Sequence, residues 1–289
     1  MSLTPLPLIS KLSKQVIRIL GCNPGVMTLQ GTNTYLVGTG ERRILIDSGD
    51  EDTAPQYIQA LQNVLKDENA TVEHLIITHW HHDHIGGVKA VEQLIQSSSG
   101  EIPTIWKLPL PGNKDKNIFQ NNWKKLIDDQ VINVVGAEII VKYTPGHTED
   151  HACLMFNQES NDNILFSGDC ILGETTAVFE NLSDYMASLK KILLLKPKTI
   201  YPGHGPVVED PVIRITHYIN HRNQREMQIL ETLTDHPTGL SVTDIVKIIY
   251  KNTPENLWPA ASINISHHLQ KLLKEQKVKV IDNNIWYLS

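Results

Sequence analysis

The stretch Thr78-His79-Trp80-His81-His82-Asp83-His84 places four histidines and one aspartate within six consecutive residues. It follows the apolar run Leu75-Ile76-Ile77 and precedes the pair Gly86-Gly87. This order predicts a loop between a strand and a helix at the rim of a sheet. Imidazole and carboxylate groups suit zinc and similar metals, so the run can serve two neighbouring ions. The alternative is a solvated, histidine-rich loop.

Three further segments share one form, in which a ligand-competent residue follows an apolar run and lies within or beside a glycine turn. They are Thr144-Pro-Gly-His147-Thr, Phe166-Ser-Gly-Asp169-Cys and Tyr201-Pro-Gly-His204-Gly. Glycine frees the backbone to aim a neighbouring side chain inward. Any one segment could be an ordinary turn, but the recurrence of the form favours a shared metal centre.

With these motifs the chain resembles the metallo-β-lactamase superfamily, whose signature His-x-His-x-Asp-His corresponds to residues 79–84. The resemblance implies one metal site of His79, His81 and His147, and a second of Asp83, His84 and His204. Asp169 would bridge the two ions. It also implies that Asp47, in Ile44-Leu-Ile-Asp-Ser-Gly49, orients the histidine loop from behind the ligands.

Other segments resemble one animal branch of that superfamily, among them Thr28-Leu-Gln-Gly-Thr-Asn-Thr-Tyr-Leu-Val-Gly38, Thr144-Pro-Gly-His-Thr-Glu-Asp-His151 and Ile248-Ile-Tyr-Lys-Asn-Thr-Pro-Glu-Asn256. The branch is known as zinc-dependent endoribonucleases of single-stranded RNA associated with mitochondria. The resemblance therefore implies two Zn²⁺ per chain, single-stranded RNA as the partner, and the mitochondrial matrix as the location, with the cytoplasm as the alternative. Asp83 would be a catalytic residue that accepts a proton from a zinc-activated water.

Short β-branched runs alternate with helical periodicity through the first two hundred residues, which predicts a layered α/β protein. With the resemblance, we expect an αββα sandwich over residues 1–232. After Asp210 the pattern becomes helical, and residues 233–289 show two short helices and a hairpin around Asp282-Asn283-Asn284. They predict a small winged-helix-like domain.

Four residues are candidates for contact with substrate. His151 follows His147 by four positions and could donate a proton or bind phosphate, although a structural histidine is equally compatible. Asn33 could overhang the site, or be an ordinary turn residue. Lys271 and Lys274 lie near Trp286 and Tyr287 in a module that could contact phosphates and stack bases. The alternative is a solvated helix that caps the core.

The composition limits the function classes. The net charge of −6 does not indicate nucleic-acid binding, although two Zn²⁺ would create a local anion site. Three separated cysteines predict neither a disulfide framework nor a thiolate zinc site. No apolar run is long enough to span a membrane. The metal ligands alone define a hydrolase without its substrate, so a glyoxalase-II-like thioesterase or another small-ester hydrolase is the alternative to the ribonuclease. The oligomeric state stays undetermined.

Overall fold

A computed structural model describes residues 3–115, 118–119, 121–157, 163–281 and 284–289. Within these ranges, no helix has the length and apolar character that crossing a bilayer requires. The strands are β1 Ile9–Lys11, β2 Val16–Leu20, β3 Asn33–Val37, β4 Arg42–Ile46, β5 Thr71–Ile77, β6 Thr104–Lys107, β7 Trp123–Lys125, β8 Val131–Val134, β9 Ala137–Tyr143, β10 Ala152–Asn157, β11 Asn163–Gly168, β12 Thr199–Pro202, β13 Val278–Ile281 and β14 Ile285–Leu288. The helices are α1 Ala54–Asp67, α2 His82–Ile85, α3 Val88–Ser99, α4 Leu182–Leu195, α5 Pro211–Thr234, α6 Val242–Ile249 and α7 Trp258–Lys274.

Two sheets form the centre of the molecule. Strands β1 to β7 make a seven-stranded sheet in chain order, and a five-stranded sheet has the order β12-β11-β10-β9-β8. Buried side chains from both sheets, such as Ile44 and Phe166, pack between them. Helices α1 and α3 cover the outer face of the first sheet, and α4 and α5 cover that of the second. The predicted αββα sandwich is confirmed.

The C-terminal module has a separate core. Helices α6 and α7 and the hairpin β13–β14 enclose Ile245, Leu269 and Trp286. The second half of α5 contributes Ile229 and Leu233 to the same core. The predicted winged-helix architecture is confirmed, and the module packs directly on α5. Asp282 and Asn283 of the predicted turn lie outside the described residues, whereas Asn284 has the positive φ of 60° expected of a turn.

The topology brings the predicted ligands to one edge of the sandwich. Strand β11 pairs in parallel with β12, and β9 runs parallel to β11 because both pair antiparallel with β10. Strands β9, β11 and β12, and β5 of the opposite sheet, each have a predicted ligand segment directly after the carboxyl end. The same edges of both sheets therefore carry the histidine loop and the three glycine turns.

Candidate metal centre

The seven predicted ligands lie together at this edge, in two adjoining groups. Atoms that can bind a metal lie within 4.8 Å of one another in each group. The first group consists of His79, His81, His147 and Asp169, and the second of Asp83, His84 and His204. Above them opens a cavity of about 220 Å³ that is lined by Asp83, His147, Asp169 and His204 among others.

The first group brings three imidazole nitrogens face to face. Nε2 of His79 is 3.2 Å from Nε2 of His147, and Nδ1 of His81 is 3.0 Å from each of them. The glycine turn before His147 is specific for glycine, since a Cβ at Gly146 would lie 2.2 Å from the backbone nitrogen of Tyr185, and its φ is +129°. Without this close packing on α4, His147 could not point toward the loop of His79.

Asp169 connects the two groups. Its Oδ1 lies 3.3 Å from Nε2 of His84, and its Oδ2 lies 3.3 Å from Nε2 of His204 and 3.6 Å from Nε2 of His147. In the second group, Oδ2 of Asp83 is 3.1 Å from Nε2 of His204. A carboxylate between the two groups can contact a cation held in either of them.

Hydrogen bonds behind the ligands fix which nitrogens carry protons. Nδ1–H of His147 donates to the carbonyl oxygen of Val178 over 2.8 Å. The hydroxyl of Thr78 donates to Oδ2 of Asp47, so it accepts from Nδ1–H of His79. Nδ1–H of His84 donates to the same carboxylate oxygen of Asp47 over 2.8 Å. Asp47 therefore lies behind the histidine loop, at the position predicted for an orienting residue.

This geometry is a test of whether the site fits metal ions. Because the Nδ1 atoms of His79 and His147 carry the protons, their facing Nε2 atoms present lone pairs only 3.2 Å apart. Two lone pairs cannot hydrogen-bond to each other and repel without a cation between them. Oδ1 of Asp169 is also buried without a hydrogen-bond partner among the described residues. The donor set thus fits divalent metal ions.

The two groups differ in electrostatics. Burial lowers the pKa of His147 to about 3, and burial together with the neighbouring histidines lowers the pKa of His79 far below its usual range. Burial also disfavours charge on His204, but Asp169 and Asp83 outweigh it and raise the pKa to about 9. The same carboxylates and Asp47 raise the pKa of His84. The histidines of the first group are therefore neutral and ready to bind a metal, whereas those of the second group bind protons when no metal is present.

The predicted contact of His151 with substrate is wrong. The ring is fully buried, and its Nε2 accepts the backbone N–H of Asp169 over 3.1 Å. Its Nδ1 is 3.0 Å from the hydroxyl of Thr144. With Nε2 occupied as an acceptor, the ring has no proton to donate toward the cavity. His151 instead fixes the backbone that carries Asp169.

The structure also corrects the role predicted for Asn33. The side chain is buried, and its amide donates to the carbonyl oxygens of Pro202 and Gly205, both over 2.9 Å. These bonds attach β3 to the turn that carries His204 and leave no donor for a substrate. The neighbouring Thr32, which the sequence pattern did not indicate, has the functional contact: its hydroxyl donates to Oδ2 of Asp83 over 2.9 Å.

The lysines of the winged helix are not equivalent. The side chain of Lys271 is 11% exposed and binds Glu226 at 2.8 Å and Glu275 at 2.7 Å, although it lines the same polar cavity as Lys274. Trp286 is buried in the module's core and cannot stack on a base. Lys274 is exposed, and it lines a polar cavity of about 340 Å³ between α4 and α7. Contact of either lysine with a substrate stays a prediction.

Fold and site together define a metal-dependent hydrolase of the metallo-β-lactamase type. The family model described as "Metallo-beta-lactamase superfamily" matches residues 27–204, and one described as "Beta-lactamase associated winged helix domain" matches residues 241–286. The chain belongs to the metallo-β-lactamase superfamily.

Its relatives include a protein named beta-lactamase-like protein 2 homolog from Drosophila melanogaster, which is 51% identical over 95% of this chain and 93% of its own length. A protein of the same name from Caenorhabditis elegans is 44% identical over 96% and 90%. Among solved structures, a metallo-beta-lactamase family protein from Thermus thermophilus shares the fold, with a TM-score of 0.71 and 20% identity over 96% of this chain and 100% of that one.

Proposed function

We propose that this hydrolase binds two zinc ions and cleaves single-stranded RNA internally. The observation that carries the hydrolytic part is the pair of adjoining ligand groups beneath an open cavity. Nitrogen and carboxylate donors in such a set are typical of zinc. When bound, a zinc pair would lower the pKa of a water toward neutrality and stabilise the charge that develops on phosphodiester oxygens.

Asp83 is suited to accept a proton in this reaction. Its side chain is 19% exposed toward the cavity, more than the 11% of Asp169. The hydroxyl of Thr32 donates to Oδ2 and so fixes the orientation of the carboxylate. A carboxylate that is both fixed and accessible can take the proton of an attacking water and keep that water in line.

The surroundings of the cavity support a polymeric substrate. Residues 175–178 line the metal cavity, and the next residues, Glu180 and Asn181, line the polar cavity beside α7. His267, Gln270 and Lys274 form the far side of that second cavity. A nucleic-acid chain that enters the metal cavity would therefore reach the winged helix within a few nucleotides, where Lys274 could contact a phosphate.

One observation favours the alternative, a hydrolase of esters or thioesters. The metal cavity is lined by Val26, Met27, Leu172 and Val178, and no lysine or arginine of the described chain lines it. Val26 and Met27 are 95% and 62% exposed. Apolar side chains can contact a nucleobase, but they also suit an acyl chain. A direct comparison of RNA with a thioester is therefore needed to identify the substrate.

The experiment incubates zinc-loaded protein with end-labelled single-stranded RNA and, separately, with a glutathione thioester. The ribonuclease proposal predicts internal RNA fragments and no thioester hydrolysis. Asp83→Asn is the control, since the amide retains the shape but accepts no proton, and RNA cleavage should fall by about a hundredfold or more. Thioester hydrolysis without RNA cleavage would replace the proposal by the alternative. RNA cleavage by Asp83→Asn that stays within about a few-fold of the parent would overturn the role of Asp83.

The mitochondrial matrix, with the cytoplasm as the alternative, stays a prediction for the location. Fractionation of cells followed by protease treatment of intact and opened mitochondria tests it directly. Protection only in intact organelles is the expected result.

A further inference from the structure

One wall of the metal cavity is a segment without regular secondary structure, residues 172–179, called the cavity wall below. Leu172, Ala177 and Val178 of this wall line the cavity. The carbonyl oxygen of Val178 also accepts the hydrogen bond that orients His147. The position of the wall therefore affects both the space for substrate and one metal ligand.

Helix α5 fixes this wall through side chains at four-residue spacing, which lie on one face of a helix. Arg214 donates to the carbonyl oxygen of Leu172 over 2.9 Å and to that of Thr175 over 3.1 Å. Tyr218 donates to the carbonyl oxygen of Thr175 over 3.1 Å. One turn further, Arg222 donates to the carbonyl oxygen of Ala177 over 3.0 Å, next to the residue that orients His147.

Arg222 is an unusual residue for this position. It is 4% exposed, and no carboxylate of the described residues lies within ion-pair distance of it. Its Nε has no hydrogen-bond partner there, and its guanidinium lies 4.7 Å from the ring centre of Phe179. Burying a cation without an opposite charge destabilises a fold, and replacing it by an apolar side chain of similar length is often neutral or stabilising. The contacts that Arg222 makes with the carbonyl oxygen of Ala177 and the ring of Phe179 both lie in the cavity wall.

We infer that Arg222 is a positioning residue, which fixes Ala177 and Phe179 so that the cavity wall keeps its distance from the metal ligands and Val178 keeps its bond to His147. The inference rests on the proposed hydrolytic site but not on RNA as its substrate. Phe179 also contacts the winged helix, because its ring centre is 5.4 Å from that of His267. The wall is thus fixed from α5 and from α7 at the same point.

The test compares Arg222→Met with Arg225→Met. Methionine is similar in length but has neither charge nor donor. Arg225 lies on the same helix, and its guanidinium lies 4.2 Å from the ring centre of Tyr250 in the winged helix. For Arg222→Met we expect hydrogen exchange of the Nδ1–H of His147, which donates to the carbonyl oxygen of Val178, to accelerate about tenfold or more. A competing chelator should remove zinc more readily, and kcat/KM on bis(p-nitrophenyl) phosphate should fall, while the denaturation midpoint is unchanged or higher. Arg225→Met should leave exchange of the His147 proton and zinc retention as in the parent.

Arg222→Lys retains a charge and a donor, so it should recover part of the exchange protection of the His147 proton. A lower denaturation midpoint of Arg222→Met with unchanged exchange and zinc retention would overturn the inference and assign Arg222 a purely structural role. Failure of Arg222→Met to fold would overturn it as well. Because exchange and zinc retention are measured without substrate, they test the inference even if the protein cleaves no RNA.

Discussion

Asp169 lies between the two ligand groups, with its carboxylate oxygens 3.3 Å from the Nε2 atoms of both His84 and His204. Asp169→Ala should remove metal from both groups, because each loses a negative ligand at once. Elemental analysis of the purified variant checks this, with a parent content near two zinc ions per chain as the reference. His82→Ala is the control, since His82 is exposed in the same loop and belongs to neither group. Unchanged metal in Asp169→Ala would refute the bridging role.

The two groups should release metal at different pH. His204 has a pKa of about 9 and His84 a raised pKa, so at neutral pH a metal must displace their protons. For each proton that the metal displaces, the apparent affinity of the site for the metal falls about tenfold when the pH falls by one unit. The pKa of His147 is about 3, so a metal that binds to this residue displaces no proton from it at neutral or mildly acidic pH. Zinc content measured between about pH 8 and about pH 5 should therefore fall from two ions toward one. Parallel loss from both groups would contradict the assignment.

The connection between β9 and β10, which carries His147, depends on a buried ion cluster. Nζ of Lys107, at the end of β6, lies 2.5 Å from Asp150 and 2.9 Å from Asp115. Lys107→Met should lower the free energy of unfolding by about 3–5 kcal/mol, because Asp150 would stay buried without a counter-charge. Urea denaturation measures the loss. The exposed pair of Lys114 and Glu149 supplies the control, since Lys114→Met should cost about 1 kcal/mol or less. Equal losses would disprove the role of burial.

Among the secondary-structure elements, the sequence predicts best those strands that end directly at a metal-ligand segment. The strands before His79, Asp169 and His204 are evident because β-branched runs end directly at ligand segments. Strand β10 is not evident, since it has no β-branched residue and lies between β9 and β11 with both faces covered, so its side chains show no alternation. The same limit applies to Asn33 and His151. Their residue types suit a site, but only the hydrogen-bond partners show that they support it from behind.

Whether the molecule captures RNA with its winged helix can be tested on its exposed lysines. Lys274→Gln combined with Lys279→Gln should weaken RNA binding and lower the slope of log affinity against log salt by about 0.7 for each phosphate that the variant no longer neutralises. Turnover of a small phosphodiester should stay unchanged, because both lysines lie outside the metal cavity. Lys277→Gln is the control, since Lys277 already pairs with Glu275 at 2.7 Å. An unaltered salt slope in the double variant would mean that the module only packs on the catalytic domain.

Helix α5 belongs to two hydrophobic cores: Ile215 and Tyr218 pack against the five-stranded sheet, and Ile229 and Leu233 pack inside the winged-helix module. A boundary near residue 232 therefore divides the sequence into two domains, but both domains pack against the same helix. Melting of either core removes the helix on which the other rests. We expect differential scanning calorimetry to record a single cooperative transition, with equal calorimetric and van't Hoff enthalpies. Two separate transitions would mean that α5 can remain folded on one core alone. Cooperativity of this kind would make a heat-damaged molecule lose its metal centre and its winged helix together, so molecules with only one of the two intact would not accumulate.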